Sequence, residues 1–329
     1  MNRALRRLGA AFLVLVGVVT IAFFIARELP GDPVRMIVGP QASAADVARA
    51  RAIYGLDEPA LAQYLRFWQR LLHGPDRGEH HDSCSQIGPW HVDLGYSYRY
   101  RKPVTKLLAD KALARWSWRS GRWRSRCSWG LGLGVAAARR RGRLFDQLLT
   151  GTTLVTLSAP IFALGLALQY LLAHRLAWLP LDGYGDTPAD HLRSLVLPAL
   201  TLGIFGAAYY TRIVRQEVGG ELDRDYLRQV VAKGAGPLRV TVVHALRNAL
   251  LPILTLMVLD LGALIGGAIV TEKLFRWPGL GALAVDAMIN RDGPALMGTV
   301  LLSASLMLIA SLVVDLLSLV VDPRLRTSR

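Results

Sequence analysis

The sequence predicts an all-α membrane protein of six spanning helices, the second abnormal, with a long external insertion after the first. Three observations carry this. Of the 329 residues, 52% are hydrophobic and 19% charged, where a soluble domain carries about 25% charge. The apolar residues come in blocks of roughly 18 or more, the signal of a membrane span. The basic residues sit mainly between those blocks, where the positive-inside rule puts them.

The formal net charge is +15. On a soluble chain that would point to nucleic acid, but the loop placement accounts for it, so the expected partner is the lipid bilayer and not nucleic acid. Two cysteines, Cys84 and Cys127, make no disulfide framework.

The first apolar block, residues 8–26, follows Arg3, Arg6 and Arg7 and ends in Arg27-Glu28-Leu29-Pro30. It is too long for the core of a cleaved signal peptide, so it reads as an uncleaved span with a cytoplasmic N-terminus. Further spans are expected at about 148–173, 196–216, 250–271 and 296–321, and a sixth near 112–136. Residues 27–110 are then external. The loop 137–147 is cytoplasmic and holds Arg139, Arg140, Arg141 and Arg143. Residues 174–195 are external with only Arg175 and Arg193. Residues 217–249 are cytoplasmic, with Arg224, Arg228, Lys233, Arg239 and Arg247. Residues 272–295 are external, and the tail carrying Arg324, Arg326 and Arg329 is cytoplasmic. The charge rule is obeyed only if a span lies between 110 and 137. The chain thus divides into 1–110, the first span with its external segment, and a core of 111–329. Within the external segment, residues 44–70 have helical spacing interrupted at Gly55-Leu56-Asp57-Glu58-Pro59, which predicts two short surface helices.

The stretch 225–255 is the most informative. A helix of about two turns, Tyr226–Lys233, is stopped by Gly234, and Gly236-Pro237 enforces a break. A second helix runs from Leu238 to about Asn248 and leads into the span at Leu250. Pro252 falls near that span's first turn, where proline is tolerated. A short helix hinged by glycine to a membrane helix is a lever on which a cytoplasmic partner can push.

Ala232-Lys233-Gly234 followed by His244, Asn248 and Pro252 resembles the "EAA" loop of bacterial ABC importer permeases, although the leading Glu-Ala-Ala reads Val230-Val231-Ala232 here. Asp225-Tyr226 and His-Ala-Leu-Arg-Asn-Ala-Leu resemble the dipeptide/oligopeptide (peptide/nickel class) branch. Leu29-Pro30-Gly31-Asp32-Pro33, Tyr54-Gly55-Leu56-Asp57, the run Thr271 to Gly281 with Trp277-Pro278-Gly279, and the closing Asp322-Pro323-Arg324 agree with it. The resemblance covers the chain except 75–92 and 113–130. It implies a MetI-like six-helix permease bundle and a loop, 225–252, that couples to an ATPase. It also implies a second homologous permease, two cytoplasmic ABC ATPase subunits, an extracytoplasmic substrate-binding protein, and alternating access. No P-loop occurs in the chain. ATP hydrolysis therefore belongs to a partner, and this subunit is neither an enzyme nor a holder of a cofactor. Dipeptides, longer peptides, glutathione and nickel chelates are all compatible cargoes.

Ionisable residues in or near spans are costly and face a cavity or a partner. Asp260, mid-span, is a candidate for the translocation path and Asp315 for the contact with the second permease. Glu272, at a span end, is expected to reach water at the interface. His244 is kept as an interface residue. His80, His81, Cys84 and His91 are metal-ligating types, but their spacing fits no zinc pattern, and 75–92 reads as a disordered polar loop with no metal.

Residues 113–130 hold five arginines and four tryptophans. Each central arginine costs about 2.5–3.5 kcal/mol on insertion, more than about 12 kcal/mol together. Arg115, Arg119, Arg122 and Arg126 share one helical face, as on an amphipathic surface helix or a voltage-sensor-like segment. A better account is a pair of compensating frameshifts in the gene or its sequence record. Trp is TGG and Arg in a GC-rich gene is usually CGN, and reading one base earlier converts Arg115–Trp129 into an apolar run that rejoins the normal frame before Leu131. Third-base composition in this window matching the flanks without a shift would refute it. The residues as they stand leave a second reading, a degenerate or non-transporting membrane scaffold.

Overall fold

A computed structural model describes residues 2–28, 33–39, 41–71, 84–87, 90–113, 116–266 and 268–321. Gly31, Asp32, His80, His81, Asp322 and Pro323 lie outside these. The chain forms two compact units, residues 1–115 with 278–308 and residues 116–277 with 309–329.

In the first unit, α1 (Asn2–Glu28) presents Phe12, Leu13, Ile21 and Ile25 outward, while Val19 is fully buried. Such a face suits lipid. Pro33 opens α2 (Pro33–Val38). The two surface helices expected over 44–70 are α3 (Ala44–Ile53) and α4 (Ala60–Leu71). Ser43 caps α3 by accepting from the Asp46 amide at 3.2 Å. Gly55, at φ +63°, makes the turn between them. Tyr64 ties α4 to α1 through a hydroxyl contact with Thr20 at 2.6 Å and an edge contact with Phe23.

The insert is not wholly irregular. β1 (Cys84–Ile87) and β2 (Trp90–Asp93) pair antiparallel, with Cys84 opposite Asp93 and Gln86 opposite His91. Ile, Trp and Val there supply the strand preference that the surrounding Gly and Pro obscure. After it, α5 (Val104–Leu113) buries Val104, Leu107 and Leu108 against Leu280, Leu283 and Ala287 of α14 (Leu280–Ile289). Asp292 is fully buried between α14 and α15 (Gly293–Val321). It accepts from the Ser97 hydroxyl, the Arg99 amide at 3.1 Å and the Ala295 amide at 3.2 Å. Three donors satisfy a carboxylate that would otherwise be costly to bury.

In the second unit the sixth expected span is a helix, α6 (Trp116–Arg139). From Cys127 onward it is packed: Ala137 is fully buried and Ala138 nearly so. Its Gly130 and Gly134 sit against α9 (Pro188–Leu222). A Cβ at Gly130 would lie 2.3 Å from the Tyr210 Cβ, and one at Gly134 2.6 Å from the Val214 Cβ. Glycines four apart let two backbones approach, as in membrane helix pairs.

The span expected over 148–173 is broken. α7 (Leu144–Ser158) and α8 (Ile161–Leu168) with its π-helical end Gln169–Arg175 bend by 99°. Pro160 holds Ala159 extended at φ −81°, ψ 137°, as a residue before proline prefers. The helix expected over 196–216 runs instead from Pro188 to Leu222, 35 residues, or about 52 Å against a hydrocarbon core of about 30 Å. The remaining elements are α10 (Asp225–Ala232), α11 (Pro237–Arg239) with a π-helical stretch Val240–Ala245, α12 (Leu246–Gly266) and α13 (Ile269–Leu274). Among the described residues four helices are long and apolar enough to span a membrane, and five with the bent pair counted as one. Arginine-rich α6 does not meet that standard on composition.

Candidate coupling site

The site begins at the C-terminal end of the 35-residue α9. Arg224 enters α10 in extended conformation and Asp225 is the first helical residue. Leu227 is buried, and it packs with Val218, Val240, Ala245 and Ala249 in one apolar cluster that also takes in Tyr226 and Val230. The inner face of α10 is thereby fixed to the hairpin formed by α9 and the Pro237–Gly266 helix. Its outer face carries Arg228 and Asp225, which pair at 3.6 Å with both side chains more than four-fifths exposed. A pair that exposed adds little stability.

Gly234 ends α10 as the sequence predicts. Its φ is +86°, the left-handed region that glycine enters without strain. The Ala235 amide donates to the Val230 carbonyl at 3.3 Å and the Gly234 amide to Val231 at 2.9 Å, which is a Schellman closure. Ala232 is the last helical residue and Lys233 the cap, both exposed. No neighbour lies within 4 Å of a Cβ built on Gly234, so the backbone angle alone demands glycine.

Tyr226 and Asn248 meet. The Asn248 side-chain amide donates to the Tyr226 hydroxyl at 2.7 Å, and that hydroxyl donates to Glu221 at 3.0 Å. Burial raises the Tyr226 pKa, the Asn248 contact lowers it, and Glu221 raises it. The phenol therefore stays protonated and stitches α10 to both flanking helices. Glu221 has no motif signal. His244, half-buried, Asn248 and Pro252 recur every four residues along one helix. Pro252 is a correction: the helix starts at Pro237, so Pro252 lies in its interior and not in a first turn. Lacking an N–H, it leaves the helix ladder one donor short. Beyond the hinge, Leu238, Val242 and Val243 are exposed. With Pro237 they line a hollow of about 540 Å³ edged by Arg139 and Arg239.

Three further interactions carry no local sequence signal. Asp146, nearly fully buried at the start of α7, is held by the Arg215 guanidinium of α9, Nη2 to Oδ2 at 2.8 Å. It also accepts from the Gly142 amide at 2.9 Å. Arg141 pairs with Asp223 at 2.6 Å. The loop of arginines after α6 is thus clamped to α9 just before α10. Asp260 accepts from the buried Tyr210 hydroxyl at 2.7 Å, which ties α12 to α9.

The late motif is a packing knot. Glu272 is 5% exposed and does not reach water, which corrects the expectation for a span end: α12 stops at Gly266 and α13 folds Glu272 inward. Trp277 is buried, donates its backbone N–H to the Glu272 carbonyl at 2.7 Å and meets the Tyr184 ring edge-on at 4.9 Å. Pro278 follows, and Gly279 precedes α14 as its N-cap. Asp315 lies half-buried on α15. Among the described residues no group of three or more His, Cys, Asp or Glu is placed to hold a metal.

Several long apolar helices, with a short amphipathic helix closed by a left-handed glycine after the longest of them, define a multi-pass membrane subunit. The chain belongs to the family described as binding-protein-dependent transport system inner membrane component, which matches residues 130–327. The corresponding N-terminal family matches residues 1–117. The two leave 118–129 unmatched, inside the arginine-tryptophan stretch. Over 332 residues the chain is 36% identical to the glutathione transport system permease protein GsiC of Salmonella paratyphi A, covering 99% of each. Over 352 residues it is 36% identical to the di/tripeptide transport system permease protein DppB of Pseudomonas aeruginosa, covering 98% of each. It is therefore a permease subunit of a bacterial ABC importer, multi-pass in the inner membrane, working with an ATPase and a substrate-binding protein. The chemistry of ATP belongs to the ATPase.

Proposed function

We propose that the chain is one of two permease subunits enclosing a pore that carries di- and tripeptides into the cytoplasm by alternating access. Both termini are cytoplasmic, residues 27–110 are external, and residues 111–329 form the translocating core. One ATPase subunit of a pair seats on α10 and the hollow beside Pro237, and its closure on ATP moves the hairpin. Asp225, Tyr226, Ala232, Lys233 and Gly234 present that surface, while Asn248 holds its rear. The observation that carries this reading is the left-handed Gly234 between a helix packed on one face and exposed apolar residues beyond it. The cargo rests on the relatives, one named for di- and tripeptides and one for glutathione, itself a tripeptide.

The test is uptake into vesicles holding the complete complex. A radiolabelled dipeptide is expected to accumulate only with ATP on the ATPase side and binding protein on the other. Accumulation of a nickel chelate with no peptide or glutathione would overturn the cargo. The scaffold reading is favoured by the five arginines at 115–126. Against it stands the packing of α6 from Cys127 onward, the part the frameshift account leaves largely unaltered. Transport by the chain as written would remove the scaffold reading.

A further inference from the structure

A cavity of about 490 Å³ opens in the first unit beside the end of α1. Five arginines line it: Arg27, Arg51, Arg66, Arg70 and Arg291. Arg66 pairs with Glu58 and Arg51 lies 3.9 Å from Asp57. Arg27 and Arg70 have neither a hydrogen bond nor an ion pair among the described residues. The carboxylate in the wall, Asp93, is buried and accepts from the Gly95 amide at 2.7 Å. The cavity therefore carries a cationic excess.

Its floor is apolar. Phe23, Phe67, Leu94 and Met297 line it. Tyr54 and Tyr98 meet edge to face at 5.3 Å above, and burial, then the charge of Asp292, pushes the Tyr98 pKa up to about 12, so its hydroxyl remains a donor. The apolar span of α1 runs from Arg6 to Arg27. Arg27 thus marks the depth at which hydrocarbon gives way to headgroups. Ile21 and Ile25, six and two residues earlier, are exposed apolar side chains.

We propose that this cavity binds the phosphodiester headgroup of an anionic phospholipid, with Arg27 and Arg70 on the phosphate and the first part of an acyl chain against Phe23 and Met297. Guanidinium groups bind phosphate oxygens in pairs. A free phosphate or a cargo carboxylate would use the arginines and leave the apolar floor wet. A lipid uses both, and the cavity lies where the headgroups are.

The experiment places the full complex in nanodiscs of equal phosphatidylglycerol and phosphatidylcholine and measures by native mass spectrometry which lipid survives delipidation. Wild type is expected to retain phosphatidylglycerol, and R27Q/R70Q to lose that preference by roughly 20-fold, with R27K/R70K between them. The thermal midpoint in pure phosphatidylcholine checks that the variant folds. If it does not, the wild-type midpoint decides: phosphatidylglycerol should raise it and inorganic phosphate should not. Equal retention by R27Q/R70Q overturns the proposal. So does displacement of the lipid by inorganic phosphate, or loss of binding-protein affinity with lipid retention unchanged.

Discussion

Gly234→Pro is expected to leave the chain inserted in the membrane and to abolish peptide uptake. Proline fixes φ near −65°, whereas Gly234 stands at +86°. It also removes the N–H that closes on the Val231 carbonyl. The last turn of α10 must rearrange, and Lys233, Ala235 and the exposed residues beyond the hinge leave their places. The spans are untouched, because no side chain contacts the position. Gly234→Ala separates the two effects. It fits in space and incurs only the left-handed penalty of about 1–2 kcal/mol, so uptake should fall partway. Quantitative membrane fractionation with vesicle uptake reads both quantities. Normal uptake by Gly234→Pro would sink the coupling assignment.

Arg215→Ala is expected to destabilise the second unit severely. Asp146 is 2% exposed, and its two oxygens are met by Arg215 and the Gly142 amide. Removing the arginine strands a buried carboxylate, at a cost of about 3–5 kcal/mol. The loss should appear as a lower thermal midpoint in detergent and faster proteolysis in the loop 139–143. The double change Asp146→Leu with Arg215→Met should recover most of it, since no charge is then stranded. An Arg215→Ala chain melting like wild type would show that the pair does not clamp this corner.

Much of this was readable from the chain because bilayers ask for little more than apolar length. Residues 8–26 and 296–321 could scarcely be anything else. Gly234 was readable because a glycine stop followed by Gly236-Pro237 leaves few backbone choices. The motif marks Tyr226 and Asn248, but their direct contact, and the part Glu221 takes in it, are tertiary facts. Asp146 and Arg215 lie 69 residues apart, so no local pattern links them. Gly130 and Gly134 do carry a signal, their spacing of four, in the same helix as the arginines. Pro160 offered one too: hydropathy alone merged α7 and α8, while the proline divides them. For Glu272, sequence position sets the distance from a span end, not the direction in which the next helix folds.

If α10 and its hinge seat the ATPase, a probe on the exposed side of α10 must reach it. A photo-crosslinking residue placed at Val231, exposed on α10, measures this in the assembled complex. The expected result is an adduct with the ATPase subunit, changed in yield by ATP, and none from the same probe at Ile53, exposed on α3. An ATPase that co-purifies yet forms no adduct at Val231 would contradict it.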